Sequence, residues 1–244
     1  MYIRNTLVTL AIMGASCLWT VFQPVSVDLN VLQCFFEIFG VVYAIIVGFA
    51  MLIVSDNYSL FKQRLHAEID DLQDLRDYLM YVDNQDGVVK EIRANIKKYV
   101  ELVLEKEWPE MTGKGEVEMD TPEEMYAIMR GINKIRRTNE SDGVALEKLI
   151  STVASITTHR MERLHAGREK LPPPLRYLIL ILSAIILFAF SLIPVTYLAA
   201  SILLGSLLTL SIVLIVFVIF DIADPFRGVW RIGPDQFDDL RKRL

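Results

Sequence analysis

The sequence predicts an all-α integral membrane protein, with four transmembrane helices and a helical cytoplasmic domain inserted between the second and the third. Hydrophobic residues make up 53% of the chain and are concentrated towards its two ends. The acidic residues lie almost wholly in the middle, where apolar residues recur at helical spacing. The formal net charge of −5 therefore averages a membrane part and a charged insert.

The first transmembrane pair is predicted within residues 1–55. Residues 6–22 are about 17 residues long, the lower limit for crossing a hydrocarbon core of about 30 Å. Arg4 precedes this segment as it would in a signal peptide. However, the apolar stretch is long for a signal and no small-x-small cleavage site follows it, so we interpret it as the first span.

Residues 35–54 form the second predicted span, which has two different faces. Small residues recur every four positions on one side, where they would let another helix approach closely in lipid. This packing seam consists of Gly40, Ala44 and Gly48. Bulky apolar residues recur at the same spacing about 100° further round the helix. This apolar ridge consists of Val41, Ile45 and Phe49. The seam is predicted to contact neighbouring helices, and the ridge to face a central pore.

Glu37 is the one charged residue of this span and lies near its start. The carboxylate could lie at the membrane interface or pair across helices. It could instead ring the outer mouth of a pore, where it would favour cations. After residue 54 no Pro or Gly interrupts the helix, which is therefore predicted to continue out of the bilayer.

The cytoplasmic domain, residues 56–174, is predicted to consist of helices whose apolar stripes pack against one another. The first stripe contains Leu65, Ile69, Leu72 and Leu79. The second contains Val89, Ile92, Ile96, Tyr99 and Val103, and is predicted to end at Trp108-Pro109. A third helix is predicted to start with Thr121 as the N-cap, and a last long helix at Asp142-Gly143.

The second transmembrane pair is predicted within residues 175–222. No charged residue occurs from 177 to 220, a length of about 66 Å as a helix, or roughly two bilayer cores. Pro194 lies where a hairpin turn is needed, so the spans are predicted at about 177–193 and 197–220. Residues 223–244 are predicted to be a cytoplasmic tail.

The distribution of Lys and Arg predicts the orientation. The loops at 24–33 and 193–198 contain neither residue, whereas the opposite flanks contain many. The positive-inside rule then places both termini and the inserted domain in the cytoplasm, with the chain as a multi-pass protein of the inner (plasma) membrane.

Patterns of catalytic or metal-binding residues are not found in the sequence. None of the three histidines forms an HExxH pair or lies beside a Cys, and there is no G-x-S-x-G elbow. Cys17 and Cys34 lack the spacing of a metal site or a disulfide framework. The sequence therefore predicts no enzymatic activity, no cofactor, no metal site and no nucleic-acid partner.

A group of basic residues lies before the third span, and it allows two interpretations that do not exclude each other. The group could anchor the protein to anionic lipid of the inner leaflet. It could also form an electropositive cytoplasmic vestibule that concentrates anions. The residues are Arg160, Arg163, Arg168, Lys170 and Arg176.

Several motifs resemble those of bestrophin anion channels. Gly48-Phe49 matches a Gly-Phe pair in the second transmembrane helix of bestrophins, and the C-terminal turn resembles their Asn-Pro-Phe-Gly turn. The matching residues of that turn are Asp224, Pro225, Phe226 and Gly228. A bestrophin-like bacterial membrane domain of unknown function shares more of the pattern. Its further matches are Phe36-Glu37, Tyr99, Glu107-Trp108-Pro109, Arg160 and Arg163-Leu164.

The resemblance implies a homo-oligomer, a pentamer, whose pore is lined by the second helix and narrowed to an apolar neck. The neck falls on the apolar ridge, and such necks gate by dewetting. The packing seam would then hold the helices around the axis. The implied partners are further copies of the chain, membrane lipids and small ions, with anions slightly favoured. Arg227 interrupts the run of acids that holds calcium in bestrophins, so a calcium clasp is not expected.

Two other functions fit the same sequence. A stator-like proton-channel subunit also has two pairs of spans around a cytoplasmic insert, but the last two spans here offer only Ser, Thr and Tyr as polar groups. A non-conducting scaffold whose cytoplasmic helices bind partners is the other alternative, because an apolar neck and an apolar packing face have the same sequence pattern.

Overall fold

The computed structural model describes residues 28–113, 118–168, 171–193 and 197–244, and this part of the chain is helical without strands. The prediction of an all-α protein is confirmed for these residues. The elements are α1 (Leu29–Tyr78), a 3-10 turn (Leu79–Tyr81), α2 (Asp86–Leu102), a π-helical turn (Val103–Glu107), α3 (Trp108–Thr112), α4 (Glu123–Ile132), α5 (Glu140–Arg168), α6 (Pro173–Ser191), α7 (Leu198–Ile222) and α8 (Asp235–Arg243). The predicted first span, residues 6–22, lies outside the described residues, as does Pro194.

The chain divides into two units. The first, which we call the membrane unit, comprises the described parts of residues 1–56, 170–224 and 228–230. The second, which we call the helical unit, comprises the described parts of 57–169, 225–227 and 231–244. Among the described residues, three helical stretches are long and apolar enough to cross a membrane, and they contain the first half of α1, α6 and α7.

Helix α1 continues without interruption from the apolar segment into the polar one, as predicted. Asp28 precedes the helix and its carboxylate accepts a hydrogen bond from the Asn30 N–H at 2.8 Å, which is the interaction expected of an N-cap residue. Within the helical unit the buried positions of α1 recur every three or four residues, so one side of the helix packs on the core. These positions are Phe61, Leu65, Ile69, Leu72, Leu75 and Leu79.

Helices α6 and α7 form a hairpin in the membrane unit and overlap the two spans predicted there. The Arg176 guanidinium lies over the Phe220 ring, 4.8 Å from its centroid, so the start of α6 is beside the end of α7. Tyr43 of α1 and Ser183 of α6 share a buried hydrogen bond of 2.9 Å, which joins α1 to the hairpin where no water competes.

Three helix ends of the helical unit differ from prediction. The second stripe does not end at Trp108-Pro109, because the chain stays helical through a π turn and then α3. Pro109 lies at the start of α3, directly after the π turn. Thr121 is not the N-cap of α4, since Pro122 occupies that position without a side-chain cap. Helix α5 begins at Glu140, two residues before the predicted start.

Candidate functional site

The apolar ridge of α1 lies on the side of the helix opposite to its packing face. Val41, Ile45 and Phe49 are 59%, 65% and 61% exposed. The packing face, at Tyr43, Val47, Ala50 and Val54, is buried against the hairpin. At about 100° per residue, the centres of the two faces are roughly 170° apart. The described part of the chain therefore leaves the ridge exposed while it buries the opposite side of the helix.

The packing seam lies between these two faces, and the described residues leave space beside its glycines. A Cβ atom added at Gly40 or Gly48 would meet no atom within 4 Å among the described residues, apart from the helix itself. Ala44 is exposed as well. Within the described ranges, the seam is thus open to the close approach of another helix.

Glu37 is exposed, one helical turn before Val41, on the edge of the exposed face next to the seam. Its carboxylate accepts a hydrogen bond of 2.9 Å from the Gln33 side chain.

Two of the predicted basic residues are not on the surface, and this corrects the interpretation of the group as one vestibule or lipid contact. Arg160 and Arg163 are buried in the helical unit, where both pair with carboxylates. Their charges are neutralised there and do not reach solvent or lipid. Arg168 and Arg176 are exposed, the latter in the membrane unit, and Lys170 lies outside the described residues.

The two arginines belong to a buried network that links α1, α2, the π turn and α5. Arg163 Nε contacts Glu68 Oε2 at 2.6 Å, and its Nη2 contacts Glu107 Oε2 at 2.6 Å. Arg160 Nη2 contacts Glu107 Oε1 at 2.7 Å. The Tyr99 hydroxyl donates to Glu68 Oε1 at 2.6 Å. Two carboxylates thus balance two guanidinium groups, as burial of charge requires.

Arg160 also orders the segment that precedes α4. Its guanidinium donates hydrogen bonds to the backbone carbonyls of Glu118 and Asp120 at 3.2 Å and 3.1 Å. The network therefore has a structural role, which is to join four helical elements and one loop.

Sequence reasoning missed Glu68. The sequence patterns place Tyr99 in an apolar stripe, Arg160 and Arg163 in a basic group and Glu107 in a family motif, but none of them includes Glu68, the partner of both Tyr99 and Arg163. A signal was present, because Glu68 occupies a position of the apolar stripe between Leu65 and Leu72. A carboxylate at a buried position of a helix requires a buried partner.

The Tyr99 phenol predicts a pH dependence of stability. Burial, with the Glu68 and Glu107 carboxylates beside it, raises the pKa of Tyr99 well above its ordinary value of 10.0. The folded protein keeps the phenol neutral while the unfolded chain ionises it, so this contribution is complete below about pH 10 and is lost as the pH rises further. We expect the free energy of unfolding to fall more steeply above pH 10 in the wild type than in Tyr99→Phe, by up to about 1.4 kcal/mol per pH unit.

Denaturant unfolding of the full chain in detergent, followed by circular dichroism at several pH values, measures this difference. The exposed Tyr126 offers a matched control, because Tyr126→Phe should keep the wild-type slope. Parallel curves for Tyr99→Phe and the wild type would contradict the prediction.

The C-terminal turn is shaped by Asp221 and Gly228 in the membrane unit. The Asp221 Oδ2 atom accepts the backbone N–H groups of Val229 at 2.8 Å and Trp230 at 3.2 Å. Gly228 has φ +97°, and a Cβ atom there would clash with the Asp221 carboxylate. Only glycine fits this position without strain.

The other residues of the predicted turn have separate environments. In the helical unit, Phe226 is buried edge-on against Phe61 and Trp108, with ring centroids 5.1 Å and 5.8 Å away. The Pro225 carbonyl accepts the Ile232 N–H at 2.7 Å. Asp224 is partly buried. Across the described ranges, no group of three or more His, Cys, Asp or Glu side chains could hold a metal ion.

Comparison with known proteins indicates the same family as the sequence motifs. A family model described as the Bestrophin-like domain matches residues 8–237. Among solved structures, a bacterial bestrophin homolog from Klebsiella pneumoniae, crystallised as a point mutant, has a TM-score of 0.68 to this chain. The match has 10% sequence identity and covers 98% of this chain and 96% of that one, so it shows a shared fold. No curated protein sequence matches the chain.

Proposed function

The chain belongs to the bestrophin-like family, and from this premise we propose that it is a homo-oligomeric membrane channel that conducts small anions. Copies of α1 would surround a central axis, and Val41, Ile45 and Phe49 would form an apolar neck in the pore. The family and the apolar helices support a membrane protein related to channels; conduction, the neck and the number of subunits are parts of the proposal.

The observation that carries the proposal is the exposure of the ridge opposite to the packing face of α1. Exposure alone would also suit a lipid-facing helix. The adjacent seam favours an assembly, because small residues at Gly40, Ala44 and Gly48 would let a second copy pack closely beside the ridge. Repeating that contact around an axis turns the ridge inwards, and we propose a pentamer.

The proposed topology is that of a multi-pass inner-membrane protein with both termini in the cytoplasm. It has a first pair of spans within residues 1–55, a cytoplasmic helical domain at 56–174, a second pair within 175–222 and a cytoplasmic tail. The partners are other copies of the chain, membrane lipids and small ions. Of the basic group, Arg168, Lys170 and Arg176 are still proposed to line the vestibule or contact lipid.

Electron microscopy of the full chain in detergent tests the assembly. We expect a ring of five subunits with an axial opening lined by α1. Particles without an axial passage, or with the ridge facing lipid, would overturn the channel proposal and favour a non-conducting scaffold.

The charge of Glu37 is expected to affect whether the outer mouth of the proposed pore favours anions or cations. If its carboxylate faces the conduction path, it repels anions, and Glu37→Gln should move the reversal potential in a salt gradient towards the equilibrium potential of the anion. Planar-bilayer recordings of the purified protein measure this shift. Gln33→Ala is the matched control, because it removes the hydrogen bond to Glu37 and keeps the charge. An unchanged reversal potential in Glu37→Gln would assign the carboxylate a structural role.

A further inference from the structure

The turn that follows α7 exposes two large apolar side chains on the protein surface. Val229 and Trp230 are 56% and 55% exposed, although hydrogen bonds from their backbone N–H groups to Asp221 fix their position. Asp221 itself is buried in the last turn of α7, and Gly228 lets the chain approach its carboxylate. The exposure of these side chains is therefore built into the fold, because their backbone is tied to the end of a helix.

Other exposed side chains at this end of the hairpin are also of types that suit a membrane interface. Arg176 and Tyr177 are exposed near the start of α6, and the contact of Arg176 with Phe220 places them level with the last turns of α7. Trp, Tyr and Arg are the residues typical of the zone where hydrocarbon meets lipid headgroups, since each combines an apolar body with a polar or charged end.

We propose that the turn 228–230 is a membrane-interface anchor whose ligand is the headgroup region of the leaflet at this end of α7. Trp230 and Val229 insert beside the acyl chains, and Arg176 contacts the lipid phosphates.

The position of α7 indicates that the turn contacts lipid. The helix carries no charge before Asp221, so its end lies where the hydrocarbon core gives way to headgroups. A side chain tied to Asp221 stays at that depth. Because the backbone is already fixed, little conformational entropy is lost when lipid binds.

Fluorescence quenching by brominated lipids tests this anchor in the full chain reconstituted into vesicles. The protein has three tryptophans, and the contribution of Trp230 is the difference between the wild type and Trp230→Phe. We expect Trp230→Phe to lower the quenched share of the emission, more with bromine near the headgroup than with bromine deep in the acyl chain. Trp108→Phe is the matched control, because Trp108 is buried in the helical unit, and it should leave the amount of quenched emission unchanged.

Two further measurements separate lipid from other occupants. Gly228→Ala should displace the turn from Asp221 and reduce the quenching of Trp230. Iodide in the aqueous phase should quench Trp230 weakly. Equal quenching by brominated lipid in the wild type and Trp230→Phe would overturn the proposal. Iodide would then distinguish the other occupants: strong quenching would show that Trp230 is open to water, and weak quenching that a second copy of the chain shields it.

Discussion

Replacing Phe49 by alanine, and more strongly replacing Phe49 and Ile45 together, is expected to raise the ion conductance of the reconstituted protein about tenfold, which corresponds to lowering the barrier by about 1.4 kcal/mol. The ridge side chains are bulky and offer an ion no polar group, so a neck built from them excludes water and opposes ion entry. Alanine widens the neck and lets water fill it. Single-channel recording in planar bilayers measures the change.

The control for this experiment is Leu214→Ala. Leu214 is an exposed apolar residue of α7, so its truncation removes a similar side chain of the membrane unit away from the proposed neck. This variant should conduct like the wild type. If well-assembled wild-type and neck-variant proteins both carry no current, the channel proposal fails and the scaffold becomes the better hypothesis.

The periodicity of residues 35–54 was enough to separate a ridge from a seam, because each set recurs once per turn. It did not reveal the face that packs within the chain. Tyr43, Val47 and Ala50 differ in size and polarity, so they form no obvious stripe. Their burial depends on the hairpin, including the hydrogen bond from Tyr43 to Ser183, 140 residues away. Helix α1 could be predicted from the sequence, but its neighbours could not.

The error at Arg160 and Arg163 has a similar origin. Basic residues before a membrane span usually lie at the surface, and nothing close to them in the sequence indicates otherwise. Their partners, Glu68 and Glu107, are 95 and 53 residues from Arg163 and Arg160 respectively. Glu107 closes the π turn that precedes Pro109, and this irregular backbone has no clear sequence pattern. The fold class was therefore more predictable than the buried ionic interactions that hold the helical unit together.

Removal of the Arg163 guanidinium should have the largest effect on stability of any single change in the helical unit. Arg163 is fully buried and is the only residue of the network that bridges both carboxylates. Arg163→Met keeps most of the volume but leaves Glu68 without its charged partner. We expect the free energy of unfolding to fall by about 3–5 kcal/mol, the range for a buried pair broken on one side. Denaturant unfolding of the full chain in detergent measures it.

Arg64→Met is the matched control, because Arg64 pairs with Glu162 at 3.1 Å in a partly exposed ion pair and should contribute about 0–1 kcal/mol. Adding Glu68→Gln to Arg163→Met should recover part of the loss, since the stranded charge is then removed with its partner. If Arg163→Met and Arg64→Met lowered the free energy of unfolding equally, the buried charges would not support the fold. If Glu68→Gln did not restore any of the free energy of unfolding lost in Arg163→Met, the loss would be due to packing.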